Sequence, residues 1–140
     1  NLTIAKAIGS RGVVVHVGKS TIQEIDVARE TMKKNLLRAV EFATEECPIL
    51  LETPAGQGTE MLCAWDEFTE FIAEINDPRL RICIDTCHVF ACGHDPVVYM
   101  DRCGYKLKLI HFNDSSCPCK SKKDRHDLPG NGYIGKEMIN

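Results

Sequence analysis

Four short apolar runs, at residues 12–15, 48–51, 80–84 and 107–110, alternate along this chain with longer stretches of helical periodicity. Each run is β-branched or leucine-rich and too short for a helix, so it reads as a strand buried on both faces. Between the runs, residues 22–46 place Ile25, Ala28, Met32, Leu36, Ala39, Val40 and Ala43 on one stripe. Residues 60–75 do the same with Leu62, Trp65, Phe68, Phe71, Ile72 and Ile75, and Asp95-Pro96 opens a further helix that Gly104 closes. Strand and helix in strict alternation imply parallel strands joined by crossover helices. An open doubly wound sheet and part of a (β/α)8 barrel both fit. No glycine-rich phosphate loop follows any strand, which disfavours a nucleotide-binding open sheet.

The residues after the runs carry the chemistry. Val13-Val14-Val15 is followed by His16, Ile49-Leu50-Leu51 by Glu52, Ile82-Cys83-Ile84 by Asp85, and Leu107-Lys108-Leu109-Ile110 by His111. Ligands of parallel sheets and barrels bind at the C-terminal strand ends. One such residue is unremarkable, and Asp85 could simply cap the turn Thr86-Cys87-His88. Four in four is a metal-ligand set of nitrogen and oxygen donors without thiolates. His88 lies about one helical turn beyond Asp85, and Asp124 and His126 alternate in the loop after the fourth run, so these three make a candidate second site. Clustered divalent ions suit phosphoryl transfer, and a carboxylate such as Glu52 can bridge two of them. His and carboxylate ligands favour zinc, with manganese or iron as alternatives.

With a formal net charge of −3, composition alone does not announce a nucleic-acid binder. The basic residues are nonetheless uneven, with Lys120, Lys122, Lys123 and Arg125 crowded into the loop that holds Asp124 and His126. The eight cysteines include Cys47, Cys63 and Cys83 within or beside apolar segments, as small buried hydrophobes of a reducing cytoplasm or nucleus. Cys117 and Cys119 are closer to ligand-like but lack a second pair at zinc-ribbon spacing. No stretch approaches the roughly 18 apolar residues of a membrane span. The chain begins at Asn1, Leu2 to Ile8 reads as the tail of a helix and residues 136–140 as the start of another, so an excised piece of a longer protein is expected.

The segments Leu50-Leu51-Glu52-Thr53-Pro54-Ala55-Gly56-Gln57-Gly58 and Arg81-Ile82-Cys83-Ile84-Asp85-Thr86-Cys87-His88-Val89-Phe90-Ala91-Cys92-Gly93-His94-Asp95, then Ile110-His111-Phe112-Asn113-Asp114 and Asp124-Arg125-His126, resemble in order the motifs of the endonuclease IV family. The resemblance spans nearly the whole chain. It implies that residues 1–140 are a partial endonuclease IV-type TIM-barrel domain, an α/β fold of about four consecutive βα units from the second half of the barrel. It also implies three zinc ions in a complete enzyme: His16 and Glu52 at the first, Glu52, Asp85 and His111 at the second, and His88, Asp124 and His126 at the third. Glu52 would be the catalytic bridging carboxylate, and Arg125, Lys122 and Lys123 would meet the DNA backbone. The implied reaction is hydrolysis of the phosphodiester 5′ to an abasic site in double-stranded DNA, by a monomer. The family's further histidine and glutamate have no counterpart here, so the first two sites would each lack a ligand. The isolated piece, with two open sheet edges, would be unstable and inactive. Cys117-Pro118-Cys119 has no place in the family pattern. A sugar isomerase or epimerase of the same fold is the enzymatic alternative, with a non-cutting DNA binder and a zinc-stabilised scaffold as the others. The group His88, Asp124 and His126 separates the nuclease from the isomerase, because it provides for a third ion.

Overall fold

The computed structural model describes residues 1–135, so the helix expected at 136–140 lies outside the described residues. A short helix α1 (Leu2–Ala7) precedes β1 (Val13–His16), α2 (Ile25–Val40), β2 (Ile49–Glu52), α3 (Glu67–Ile75) and β3 (Leu80–Asp85). Then come α4 (Thr86–Ala91), α5 (Pro96–Cys103), a turn of 3-10 helix and β4 (Leu107–His111), followed by the two-residue strands β5 (Asp114–Ser115) and β6 (His126–Asp127). The four main strands form one parallel sheet in the order β1-β2-β3-β4, and β5 pairs with β6 antiparallel. The α/β alternation and the four βα units are those expected. Each of the four main strands ends on a histidine or carboxylate, His16, Glu52, Asp85 or His111, so all four are delivered to the same edge of the sheet.

Register explains how they meet. His16 stands opposite Glu52, and Glu52 opposite Cys83. Strand β3 runs two residues beyond β2, which lifts Asp85 above Glu52 on the same face. Between β3 and β4 the ladder slips at Ile82/Cys83, where Leu107 and then Leu109 are the partners. Without that bulge Ile110 would face Asp85; with it, the partner is His111.

The core lies between the sheet and its helices. Phe68, Phe71 and Ile72 of α3 and Ala28, Leu36 and Val40 of α2 pack on Ile49, Leu51, Leu80, Ile82 and Ile84. Ile25 departs from its stripe and is exposed, because it sits in the first turn of α2. Strand β2 is buried throughout and β3 at every residue but Arg81, whereas β1 and β4, at the sheet edges, leave Val15, Leu109 and Ile110 exposed.

Two expected helices are shorter than their periodicity suggests. Helix α2 stops at Val40, followed by a turn in which Phe42 and Ala43 bond back to Ala39 and Val40. Helix α3 starts at Glu67 rather than at 60. Glu60 is instead paired with Lys19 in an isolated antiparallel bridge, its carboxylate accepts from Gly56 and Gln57 N–H, and Leu62 takes a positive φ of 62°. Long-range pairing therefore overrides local periodicity there. Asp95 caps α5 as expected, accepting from Val97 and Val98 N–H at 2.8 and 3.1 Å, with Gly104 at its end.

Candidate metal centre

The floor of the site is buried and the rim is open. Side chains of Asp85, Glu52 and His88 are 0%, 3% and 5% exposed, and those of Asp124, His111, His126 and His16 are 33%, 37%, 43% and 72% exposed. All seven sequence-predicted ligands come together. His16 Nε2 lies 3.0 Å from Glu52 Oε2 and His111 Nδ1 lies 2.8 Å from Glu52 Oε1, so the two carboxylate oxygens face different histidines. His111 Nδ1 is also 3.8 Å from Asp85 Oδ2. His126 Nε2 lies 3.0 Å from Asp124 Oδ1 and 3.5 Å from Asp85 Oδ2, and His88 Nε2 lies 3.4 Å from Asp124 Oδ2. The donor atoms of His88, Asp124 and His126 all fall within 4.8 Å of one another, as do those of Glu52, Asp85 and His88.

Asp85 works in two directions. Its Oδ1 accepts from Cys87 and His88 N–H at 2.9 and 3.2 Å, which is the N-cap of α4, while Oδ2 faces the cluster and accepts from Asn113 Nδ2 at 2.7 Å. One oxygen of this carboxylate thus meets the capping expectation, while the other is left to face the cluster. Thr53, directly after β2, accepts from Asp85 N–H through its hydroxyl at 3.0 Å. Its carbonyl accepts from His88 Nδ1 at 2.8 Å. Thr86 Oγ1 donates to the Asn113 carbonyl and accepts from Asn113 N–H, which holds the amide beside Asp85.

Two buried atoms show what the cluster lacks within the protein. A carbonyl only accepts, so His88 Nδ1 carries the proton and Nε2 the lone pair. That Nε2 is buried without a hydrogen-bond partner, and so is Glu52 Oε2, which His16 approaches without hydrogen-bonding alignment. A lone pair facing a carboxylate oxygen is stable only with a cation, proton or metal ion, between them. Burial lowers the His88 pKa, but Asp85, the Thr53 carbonyl, Asp124 and Glu52 outweigh it and the net direction is upward. Among the described residues no lysine or arginine forms an ion pair with Glu52, Asp85 or Asp124. The donor set and its orphaned atoms fit divalent metal ions: His16 with Glu52, Glu52 with Asp85 and His111, and His88 with Asp124 and His126.

Cys83 and Cys87 stand beside the nitrogen and oxygen donors. Cys83 groups with Glu52 and His111, and Cys87 with Asp85 and His126, within the same 4.8 Å span. Burial pushes the Cys83 thiol up to about 12, with the charges of Glu52 and Asp85 adding to it, and raises Cys87 as well, so both stand in the site as neutral thiols. Cys83 was discoverable from strand period alone, since it lies two residues before Asp85. The fifth histidine, His94, lies outside the cluster, bonded through Nε2 to the Cys63 carbonyl at 3.0 Å and packed against Trp65 and Tyr99.

Lys122, Lys123 and Arg125 are exposed on the loop between β5 and β6. Lys122 is anchored at its backbone, donating to the Ala91 carbonyl at 3.0 Å, and Lys120 donates to the Phe90 carbonyl at 3.1 Å. This loop, with Cys117-Pro118-Cys119 at its start, therefore caps the C-terminal end of α4. Lys120 and Lys122 have positive φ, at 63° and 53°, a conformation uncommon outside glycine. A methyl on Gly56 would meet Lys122 Cγ at 3.3 Å, so the lysine stem lies across the segment that follows Glu52.

The chain matches the xylose isomerase-like TIM-barrel family over residues 1–139. It is 38% identical over 141 residues to the probable endonuclease 4 of Mesomycoplasma hyopneumoniae, covering 94% of this chain and 50% of that protein. The crystal structure of endonuclease IV from Thermus thermophilus superposes with a TM-score of 0.80 at 28% identity, covering 98% of this chain and 51% of that one. A D-tagatose 3-epimerase-like protein also reaches a TM-score of 0.80, over 99% of this chain and 52% of that one, at 19% identity, which shows the shared fold alone. The chain spans about half the length of the relatives it matches. It belongs to the xylose isomerase-like TIM-barrel family, and within it to the endonuclease IV group.

Proposed function

We propose that the full-length protein is a zinc-dependent endodeoxyribonuclease of base excision repair that hydrolyses the DNA phosphodiester 5′ to an abasic site. The observation that carries this reading is the convergence of four imidazoles and three carboxylates at one sheet edge, with Glu52 Oε2 and His88 Nε2 buried and unpartnered. When bound, up to three zinc ions, or manganese in their place, supply an activated water, neutralise the phosphate and stabilise the departing 3′ oxygen. The residues that would hold them are His16, Glu52, Asp85, His88, His111, Asp124 and His126. Glu52 would serve more than one ion, since its two oxygens face different histidines. Asp85 orders the floor, since one oxygen is fixed by the α4 cap and the other by Asn113. Lys122, Lys123 and Arg125 stand beside that site and would hold the backbone of the duplex, fixing its register rather than reading its bases.

Residues 1–140 would contribute part of one TIM-barrel domain, acting as a monomer on double-stranded DNA. All eight cysteines are free, which accords with a reducing compartment, cytoplasmic or nuclear. No described helix is long and apolar enough to cross a membrane. The group His88, Asp124 and His126 favours the nuclease over a sugar isomerase, because one or two ions suffice for proton shuttling.

The test uses the full-length protein and a duplex with a single tetrahydrofuran abasic analogue, with zinc and with a chelator. Zinc-dependent cleavage 5′ to the lesion, lost in His126→Ala, is the expected result. A folded, metal-loaded protein that leaves this duplex intact overturns the reading and directs attention to sugar turnover.

A further inference from the structure

Glu60 belongs to neither the ligand set nor the basic loop, yet its side chain is only 14% exposed. It stands in the connection between Glu52 and α3. One oxygen, Oε2, accepts from both Gly56 N–H at 2.9 Å and Gln57 N–H at 3.0 Å. The other, Oε1, faces Lys19 Nζ at 3.6 Å. The backbone closes the same turn, since Glu60 N–H donates to the Gln57 carbonyl at 3.2 Å. Gly56 and Gly58 take positive φ, at 81° and 60°, which lets the chain reverse soon after Glu52.

Both sides of this turn are occupied. On one side, residues 59–61 are laced to the β1–α2 loop. Ser20 N–H donates to the Thr59 carbonyl at 2.9 Å, Thr21 N–H to Thr59 Oγ1 at 3.0 Å, and Met61 N–H to the Gly18 carbonyl at 3.1 Å. On the other side, Gly56 is buried beneath Lys122, where a methyl group would meet Lys122 Cγ at 3.3 Å and Cβ at 3.6 Å. The laced segment is a fixed support, and Glu60 carries that fixity across to the surface on which Lys122 rests. Hydrogen bonds from N–H to a carboxylate are about twice as strong as those to a neutral acceptor. The Lys19 ion pair is long and half-exposed, so the acceptor role of Glu60 outweighs its charge.

We propose that Glu60 is a positioning residue for substrate binding: its carboxylate holds the Gly56–Gln57 turn in the shape that supports the Lys122 stem and aims its ammonium at the DNA backbone. The inference rests on the functional reading above and extends it to a residue outside the ligand set and the basic loop. Without the carboxylate, two backbone amides lose their acceptor and the turn relaxes. Lys122 then keeps its backbone bond to the Ala91 carbonyl but not the surface beneath its side chain.

The test uses the full-length protein and two independent readouts. Amide exchange followed by NMR reads the clamp without DNA. Glu60→Ala should speed exchange at Gly56 and Gln57, whereas Glu60→Gln, which keeps one carbonyl oxygen for both amides but no charge, should not. Unchanged exchange in Glu60→Ala, or fast exchange in Glu60→Gln, overturns the clamp. Binding to an abasic duplex across a salt series reads its purpose. Glu60→Ala should lower the slope of log K against log salt towards that of Lys122→Met, a change of about 0.9, and weaken binding about eightfold at about 0.1 M salt. Zinc content and the cleavage rate at saturating duplex should stay at wild-type values, because this contact serves substrate and transition state alike. In the Lys122→Met background, Glu60→Ala should change the slope no further. Any additional drop there, or an unchanged slope in Glu60→Ala alone, overturns the positioning role. Should Glu60→Ala fail to fold, Glu60→Asp, one methylene too short to reach both amides, is read in its place. A wild-type protein that binds no abasic duplex overturns the functional reading instead, and the exchange rates still decide the clamp.

Discussion

His88 donates its Nδ1 proton to the Thr53 carbonyl at 2.8 Å, which turns the lone pair of its buried Nε2 towards Asp124 Oδ2 at 3.4 Å. The tautomer is fixed by the second nitrogen's hydrogen bond, as in most metal-binding histidines. His88→Ala is expected to remove one metal ion from the full-length protein, read as a fall in zinc content by atomic absorption. Chelation would then lower the melting temperature of the wild type more than that of the variant. At a free metal concentration 100 times Kd, binding stabilises by about 2.7 kcal/mol. Equal metal content in both proteins would contradict this assignment.

Asn113 offers a second test, because its side-chain amide reaches the site through Asp85. Its Nδ2 donates to Asp85 Oδ2 at 2.7 Å, and Thr86 holds it in place. Asn113→Ala should leave the fold intact and weaken metal binding by about 10 to 100-fold, the usual effect of losing a partner behind a ligand. Titration with zinc against a competing chelator measures this. Excess zinc should restore cleavage, and a loss that no zinc concentration repairs would indicate a different role.

Much of the sheet and site was legible because strand ends and ligands share a simple rule. Val13-Val14-Val15-His16 shows in four letters both a buried strand and the polar residue it presents, and the same holds at Glu52, Asp85 and His111. What stayed hidden depended on distant partners. Residues 60–66 have the apolar spacing of a helix, yet Glu60 is drawn to Lys19 and to two backbone N–H groups across a loop. The bulge that turns His111 rather than Ile110 towards Asp85 leaves no local mark in β4. Asn113 and Thr53 look like ordinary polar loop residues until Asp85 and His88 are brought beside them.

Asp114 illustrates the same point and yields a pH prediction. Its buried carboxylate accepts from Ser115 and Ile134 N–H at 2.7 and 2.9 Å, and from Gly130 and Gly135 N–H at 2.9 and 3.2 Å. Burial pushes its pKa up, but the backbone donors of Ser115, Ile134, Gly132 and Gly130 prevail and hold it below the usual carboxylate range. A depressed folded-state pKa contributes stability that is present above the unfolded value, about 3.9 for aspartate, and is lost as pH falls through the folded value. Asp114→Ala should cost about 3 kcal/mol at neutral pH by leaving several backbone donors unpaired. Urea denaturation of both proteins should show that difference shrinking below about pH 4. A difference independent of pH would rule out the carboxylate charge as its source.

The basic loop gives the last prediction. Lys122, Lys123 and Arg125 are exposed, and the Lys122 backbone is pinned to the end of α4, so their charges are displayed from a fixed support. If each neutralises one phosphate, each contributes about 0.9 to the slope of log K against log salt concentration. Replacing Lys123 and Arg125 by alanine in the full-length protein should therefore lower that slope by about 1.8. Affinity should fall similarly for duplexes of different sequence, because phosphate contacts carry no base information. Lys122→Met preserves the stem that lies across Gly56 while removing the charge, and should reduce the slope by about 0.9 without lowering the melting temperature. Fluorescence anisotropy across a salt series measures all three substitutions, and an unchanged slope would place the DNA backbone elsewhere on the rim.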